Sequence, residues 1–277
     1  METIDLLVSL DENYLPQLRV MLYSASLNNP GVNFRVFLLH RGFSTELLSS
    51  LSRQLEALDM ELRAIRVDER LFENAPVMKQ YPQEMYYRLL AAQLLPEDMD
   101  RIIYLDPDIL VINPLTPLWR LDMGSKLFAA AAHTGMTELA NNVNRLRLGT
   151  ERDYFNSGVL LIDLARCRAE VNPEEIFSYV SEHAEELLLP DQDILNALYS
   201  SRILELDDAL WNYDARNFKN YLMRSNGAAD MEWVIENTAV LHFCGRAKPW
   251  KPHYRHRFGM LYLHYEQLTR RALPELD

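Results

Sequence analysis

Arg101-Ile102-Ile103-Tyr104-Leu105-Asp106-Pro107-Asp108-Ile109-Leu110-Val111 is a β-forming apolar run that breaks on two carboxylates flanking a proline, then resumes. The turn pair Asn113-Pro114 closes it. An apolar run bounded by turn signals suits a strand buried on both faces of a parallel sheet. Two aspartates at its carboxyl end are poor packing groups, because unpaired buried charge is costly. Pro107 restricts its own φ and has no N–H, so both carboxylates can lie beside one turn. Oxygen ligands at i and i+2 can hold a hard divalent cation such as Mg²⁺ or Mn²⁺. The plain alternative is a pair of solvated turn aspartates, and a lone D-x-D does not decide between the two.

Upstream of this run the pattern alternates. Ile4–Leu10 predicts a first strand, followed by a loop Asp11-Glu12-Asn13-Tyr14 and a helix over about Leu15–Leu27, with Leu18, Met21, Leu22 and Ala25 at helical spacing. Asn28-Asn29-Pro30-Gly31 stops that helix. Phe34–Leu39 predicts a second strand. Ser44 caps a helix whose face carries Leu47, Leu48, Leu51, Leu55 and Leu58, and Glu61–Val67 predicts a third strand. This β-α-β-α-β order implies a parallel sheet with right-handed crossovers, and ligands bind at the carboxyl ends of strands in such sheets. If the first and fourth strands are neighbours, a crevice opens between Asp11 and the Asp106/Asp108 pair.

Further along, Glu84–Leu95 reads as a helix stopped by Pro96, Leu127–Ala132 as a fifth strand, and Thr137–Gly149 as a helix. Tyr154–Leu164 is another apolar strand, entered through Asn156-Ser157-Gly158, and Glu174–Leu188 is helical. Asp191 and Asp193 open the helix that begins at Pro190, where capping of the helix dipole would explain Asp191. Ala239–Phe243 is a short strand, and the tail Arg255–Arg271 carries Phe258, Leu261, Tyr262, Tyr265 and Leu268 at helical spacing.

Bulk properties narrow the function. The chain has 277 residues and a formal net charge of -12, which disfavours a nucleic-acid partner. Cys167 and Cys244 are the only cysteines, far apart and in no metal-binding spacing, as expected of a reduced cytosolic protein. Met1-Glu2-Thr3-Ile4-Asp5 lacks the basic segment and apolar core of a secretion signal, and no uncharged apolar run is long enough to span a bilayer. The expectation is a cytoplasmic protein.

Taken in order, Asp11-Glu12-Asn13-Tyr14, Tyr87-Arg88-Leu89, Tyr104-Leu105-Asp106-Pro107-Asp108, Phe155-Asn156-Ser157-Gly158, Asp191-Gln192-Asp193-Ile194-Leu195-Asn196 and His242-Phe243-Cys244-Gly245 with Lys248-Pro249-Trp250 resemble the motifs of glycosyltransferase family 8. That family includes glycogenins and bacterial lipopolysaccharide galactosyl- and glucosyltransferases, and the resemblance runs from Ile4 to Trp250. It implies an α/β fold of GT-A type, with a Rossmann-like, mostly parallel nucleotide-sugar-binding sheet and helices on both faces. The catalytic domain is expected over residues 1–252, with a C-terminal helical extension over 253–277. The activity implied is retaining transfer of glucose or galactose from a UDP-sugar to a glycan, lipid-linked or lipopolysaccharide-type acceptor, with Mn²⁺, or Mg²⁺ in its place.

The same resemblance implies residue roles. Asp106, Asp108 and His242 are the expected metal ligands, where a packed imidazole is the plain reading of His242. Asp11, Asn13 and Tyr14 match uridine-binding positions; an N-cap at Asp11 with Tyr14 as packing is the alternative. Arg88 matches an arginine on the donor sugar or phosphate, against a surface ion pair. Asn156, Asp191 and Gln192 match sugar-facing positions, and Asp191 and Gln192 are the expected catalytic pair: Asp191 accepting from sugar hydroxyls and Gln192 near the reacting carbon, which either Gln192 or the acceptor, on the face UDP leaves, attacks. Lys248 and the Gly245 backbone are expected on the donor phosphates. The family often has aspartate where His133 aligns, which a neutral imidazole does not replace. The basic, aromatic tail resembles membrane-attaching tails of bacterial relatives, implying peripheral contact with the inner face of the membrane; a helix packed on the catalytic domain gives the same pattern. Two other readings stay open. One is a catalytically inactive UDP-sugar-binding or partner protein of the same fold. The other is a haloacid-dehalogenase-type phosphatase with Asp106 as nucleophile, although that motif lies near the N-terminus and continues with Thr or Val, where this chain has Ile109.

Overall fold

A computed structural model describes residues 2–68, 70, 83–132 and 145–276. Strand β1 (Glu2–Ser9) leads through a single 3₁₀ turn into the helix Leu15–Asn28, whose Leu18, Met21, Leu22 and Ala25 are fully buried. Strand β2 (Val32–His40) follows, then the helix Thr45–Glu56, capped by Ser44, whose Oγ accepts from Leu47 N at 3.1 Å. Strand β3 (Met60–Arg66) completes this half. Strand β4 (Arg101–Leu105) returns beside β1, and β5 (Ile109–Val111) leaves in a new direction after the Asp-Pro-Asp turn. Strands β6 (Phe128–Ala131), β7 (Val159–Asp163), β8 (Ile203–Leu206), β9 (Tyr213–Asp214) and β10 (Val240–His242) follow.

The main sheet has the order β3-β2-β1-β4-β7-β6-β8. All neighbouring pairs are parallel except those made by β7, which runs antiparallel to both β4 and β6. The order reverses between β1 and β4, so the expected crevice exists. A second sheet, β5-β10-β9, is antiparallel at β5-β10 and parallel at β10-β9.

Alternation along β4 shows why its sequence is apolar throughout. Ile102 and Tyr104 enter one core cluster and Ile103 and Leu105 the cluster on the opposite face. A third cluster joins the small sheet, through Leu110, Tyr213 and Leu241, to Phe258, Tyr262 and Tyr265 of the C-terminal segment.

Two expectations are modified, and one stretch carried none. Glu84–Leu95 is not one helix: a 3₁₀ turn Gln83–Tyr86 and a single α turn Ala91–Leu94 flank a turn at 87–90. Tyr86, Tyr87, Leu89 and Leu90 are all buried, so the segment is wedged into the core on more than one side and has no solvent-facing stripe. The region between Asn196 and Ala239 contributes two strands, β8 and β9, too short to show a strand period. The rings of the tail follow the packed-helix reading: Phe258, Tyr262 and Tyr265 point inward from the helix Gly259–Ala272 and its approach, and Asn28 Nδ2 donates to the Tyr265 hydroxyl at 2.9 Å. Among the described residues, no helix is long and apolar enough to cross a membrane. The expected helix Thr137–Gly149 falls largely outside the described residues, which include helical residues 145–148.

Candidate active site

Antiparallel β7 begins on the edge of the sheet where β1 and β4 end, because it runs the other way. Asp106 N donates to the Gly158 carbonyl at 2.8 Å, tying the Asp-Pro-Asp turn to the Asn-Ser-Gly entrance of β7. The small sheet then supplies the third group. β10 pairs with β5 so that His242 lies opposite Ile109, and Phe243 N donates to the Asp108 carbonyl at 3.0 Å. His242 Nε2 ends 3.2 Å from Asp108 Oδ1 and 3.9 Å from Asp106 Oδ2. Donor atoms of all three residues lie within 4.8 Å of one another.

Space between these groups exists because residue 158 is glycine. A Cβ there would stand 2.5 Å from Asp106 Oδ2 and 2.5 Å from His242 Cε1. Two carboxylates and an imidazole around that gap form a mixed oxygen–nitrogen donor set suited to a first-row divalent cation. Electrostatics agree. Burial pushes the Asp108 carboxyl up, but His242 and Lys248 more than reverse this and hold it well below the usual range. Burial likewise opposes charge on His242, yet Cys244 and Asp108 keep its ring well above the ordinary histidine value. Lys248 Nζ is within this same cluster, paired with Asp108 Oδ2 and donating to the Phe243 carbonyl at 2.8 Å.

Arg88 stands at the centre of the cleft, not on the surface. Its Nη1 lies 3.1 Å from Asp106 Oδ1 and 2.9 Å from Asp191 Oδ2, and donates to the Ser157 carbonyl at 3.2 Å. Its guanidinium carbon lies 4.4 Å from the centre of the Tyr104 ring, whose hydroxyl donates to Asp106 Oδ1 at 2.7 Å. Burial would lower the Arg88 pKa, but Asp106, Tyr104 and Asp191 raise it, so the cation is secure. Two clefts of about 520 Å³ each meet at Arg88, Asp106 and Asp108. One is lined by Ser9, Leu10, Asp11, Tyr14, Arg41 and Glu84. The other runs past Asn156, Asp191, Gln192, Arg216, His242 and Gly245 toward Arg147, Tyr154, Leu188 and Leu189.

The remaining expected residues fall as follows. Asp11 lines the first cleft and also caps the 3₁₀ turn, its Oδ1 accepting from Asn13 N at 2.9 Å; Tyr14 is exposed on the same wall. Asn13 is exposed, and its side chain is not among the lining groups. Gly245 has φ +79°, a conformation that favours glycine, and the Arg216 guanidinium packs against the face where a Cβ would stand. Asp191 does not cap its helix. Its carboxylate accepts from Ser157 Oγ at 2.7 Å and faces Arg88. Asp193 ties down the approach to the helix instead, its Oδ2 accepting from Leu188 N at 2.7 Å and Leu189 N at 3.0 Å. Asn156 is bound internally: Oδ1 accepts from Gly158 N at 2.9 Å, and Nδ2 donates to Gln192 Oε1 at 3.0 Å. His133 lies outside the described residues.

Sequence reading assigned no role to Asn212, Arg216, Ser157, Tyr104 or Asp193. Tyr104, Ser157 and Asp193 sit inside quoted motifs, which was a usable signal. Asn212 and Arg216 flank the two-residue strand β9 and carried none.

Comparison with known proteins follows the same outline. The family model described as glycosyl transferase family 8 matches residues 5–253. General stress protein A of Bacillus subtilis (strain 168) is 29% identical over 266 residues, covering 94% of this chain and 92% of the relative. A lipopolysaccharide 1,2-glucosyltransferase of Escherichia coli (strain K12) is 26% identical over 255 residues, covering 90% of this chain and 73% of the relative. A galactosyltransferase, LgtC, solved in complex with donor and acceptor sugar analogues, superposes with a TM-score of 0.79 at 26% identity, over 99% of this chain and 98% of that one.

Proposed function

The chain belongs to glycosyltransferase family 8, and from that premise we propose that it transfers glucose or galactose from a UDP-sugar, with retention at the anomeric carbon, to a glycan or lipid-linked acceptor of the lipopolysaccharide type. The observation that carries this reading is the convergence of Asp106, Asp108 and His242 where the two clefts join. A divalent cation held there, Mn²⁺ with Mg²⁺ as substitute, would neutralise charge on the departing diphosphate. Tyr14 offers a ring face to uracil, and Asp11 retains acceptor capacity for a base N–H. Arg88 and Lys248 present cationic donors to phosphate oxygens, with Lys248 exchanging its partner Asp108 for the donor. The Gly245 backbone lets phosphate approach closely. In the second cleft Asp191 accepts from sugar hydroxyls, and Gln192 stands by the reacting carbon.

UDP release from UDP-glucose or UDP-galactose should require Mn²⁺, stop with a chelator, and fall on the order of 10²-fold in Asp108→Asn, the consequence of losing several kcal/mol of charge stabilisation. Turnover that ignores the chelator would remove the reading. Tight UDP-sugar binding without hydrolysis or transfer across a broad acceptor panel would instead identify an inactive sugar-nucleotide binder of the same fold.

A further inference from the structure

Asn212 is fully buried and lies between His242 and Asn156. We propose that Asn212 is the positioning residue of the His242 ligand, holding the imidazole with its proton on Nδ1 and the Nε2 lone pair toward Asp106 and Asp108. The inference rests on the reading that these three residues hold a divalent cation.

The direction of every hydrogen bond in this chain follows from one group that cannot be misassigned. Gly158 N is a backbone N–H, hence a donor, and it lies 2.9 Å from Asn156 Oδ1. That end of Asn156 is therefore the oxygen. Asn212 approaches the same oxygen at 2.7 Å, so the atom it presents must be its amide nitrogen. The other end of Asn212 is then its oxygen, 2.8 Å from His242 Nδ1. An amide oxygen only accepts, so Nδ1 carries the hydrogen in either protonation state of the ring. In the neutral ring Nε2 is left as the lone-pair nitrogen. Nε2 is also the nitrogen that faces Asp108 Oδ1 at 3.2 Å.

The same oxygen of Asn156 directs the opposite end of that side chain to Gln192 Oε1 at 3.0 Å. A single main-chain amide thus sets the tautomer of one site residue and the amide orientation of another. Gly158 is, in addition, the residue whose missing side chain leaves room between Asp106 and His242. Outer partners that hold a ligating histidine in one tautomer typically contribute 10- to 100-fold to metal affinity. Asn212 lines neither cleft and its side chain bonds to His242 and Asn156, so it acts through His242 and not on the reacting atoms.

The test compares Mn²⁺ affinity, measured calorimetrically in the presence of UDP, for the wild type, Asn212→Leu and Asn212→Asp, with thermal unfolding of each. Leucine is close in size and removes the acceptor, and Mn²⁺ affinity should fall about 10- to 100-fold. Aspartate keeps an acceptor on Nδ1–H while losing the donor to Asn156, so its Mn²⁺ affinity should stay within about threefold of wild type or rise, even where its unfolding temperature drops as far as that of the leucine variant. A merely structural role predicts the opposite, affinity loss that tracks stability loss in both variants. Wild-type affinity in Asn212→Leu, or a tenfold loss in a folded Asn212→Asp, overturns the proposal while leaving the cation site standing. A wild type that binds no Mn²⁺ removes the cation reading itself, and the positioning role with it.

Discussion

Gly158 shows how little of a residue's purpose is visible in its own neighbourhood. It looks like an entrance residue for an apolar strand, yet its surroundings are the carboxylate of Asp106, from the end of a neighbouring strand, and the imidazole of His242, from a different sheet. In Gly158→Ala the added methyl must displace one of them. Mn²⁺ affinity is expected to fall at least tenfold, with only a modest change in unfolding temperature, because the backbone at 158 is not in the left-handed region and accepts alanine. Calorimetric titration beside thermal unfolding checks this, and a variant with wild-type affinity would show that the gap is not the cation's seat. Asp106 and Asp108 were legible because carboxylates ending a buried strand are chemically out of place. Asn212 was not, since one asparagine beside a two-residue strand looks like any other loop asparagine.

At the scale of elements, the helix Pro190–Tyr199 carries two acidic residues in its first turn that do different work. Dipole logic expects acids there for capping, and Asp193 partly meets that expectation by accepting from the N–H groups of Leu188 and Leu189. Its carboxylate also pairs with Arg147 at 2.6 Å and accepts from the Tyr154 hydroxyl at 2.5 Å. Asp191 is thereby left free to face Arg88 and the cleft. Burial pushes the Asp193 carboxyl up, but the hydrogen bonds from Arg147, Tyr154 and the two amides bring its pKa below the ordinary value. A depressed carboxylate stabilises the fold above its unfolded pKa and loses that contribution as pH falls through its folded one. Acidification should therefore cost the wild type more stability than Asp193→Asn, as read by denaturant midpoints at descending pH. At neutral pH, Asp193→Ala should cost about 3–5 kcal/mol, because Arg147 loses its buried partner. Equal acid sensitivity in wild type and Asp193→Asn would exclude this assignment. The helix expected over Glu84–Leu95 failed at this same scale. Helical spacing cannot distinguish a helix from a wedge whose Tyr86, Tyr87, Leu89 and Leu90 are all buried.

Across the whole molecule, the C-terminal helix Gly259–Ala272 and the strand carrying His242 share one core cluster with β5 and β9. Phe243, next to His242, meets the Tyr262 ring at 5.3 Å between centroids. Tyr262→Ala should lower stability by about 3–5 kcal/mol, as for other large buried rings, and chemical unfolding followed by fluorescence measures it. A cost below about 1 kcal/mol, typical of a surface site, would mean that the tail is merely appended. Sequence by itself determined the alternating α/β order, the buried fourth strand, the two carboxylates at its end and the family, since each is written in local period, turn chemistry or contiguous motifs. Tertiary structure alone decided that β7 runs antiparallel, that β5 leaves the main sheet to pair with β10, and that His242 therefore reaches Asp108. Those outcomes depend on pairing between strands far apart in the chain, and a three-residue strand is too short to announce its partner. The orientation of His242 through Asn212 and Asn156 belongs to the same class, because a hydrogen-bond direction exists only once all its partners have been brought together.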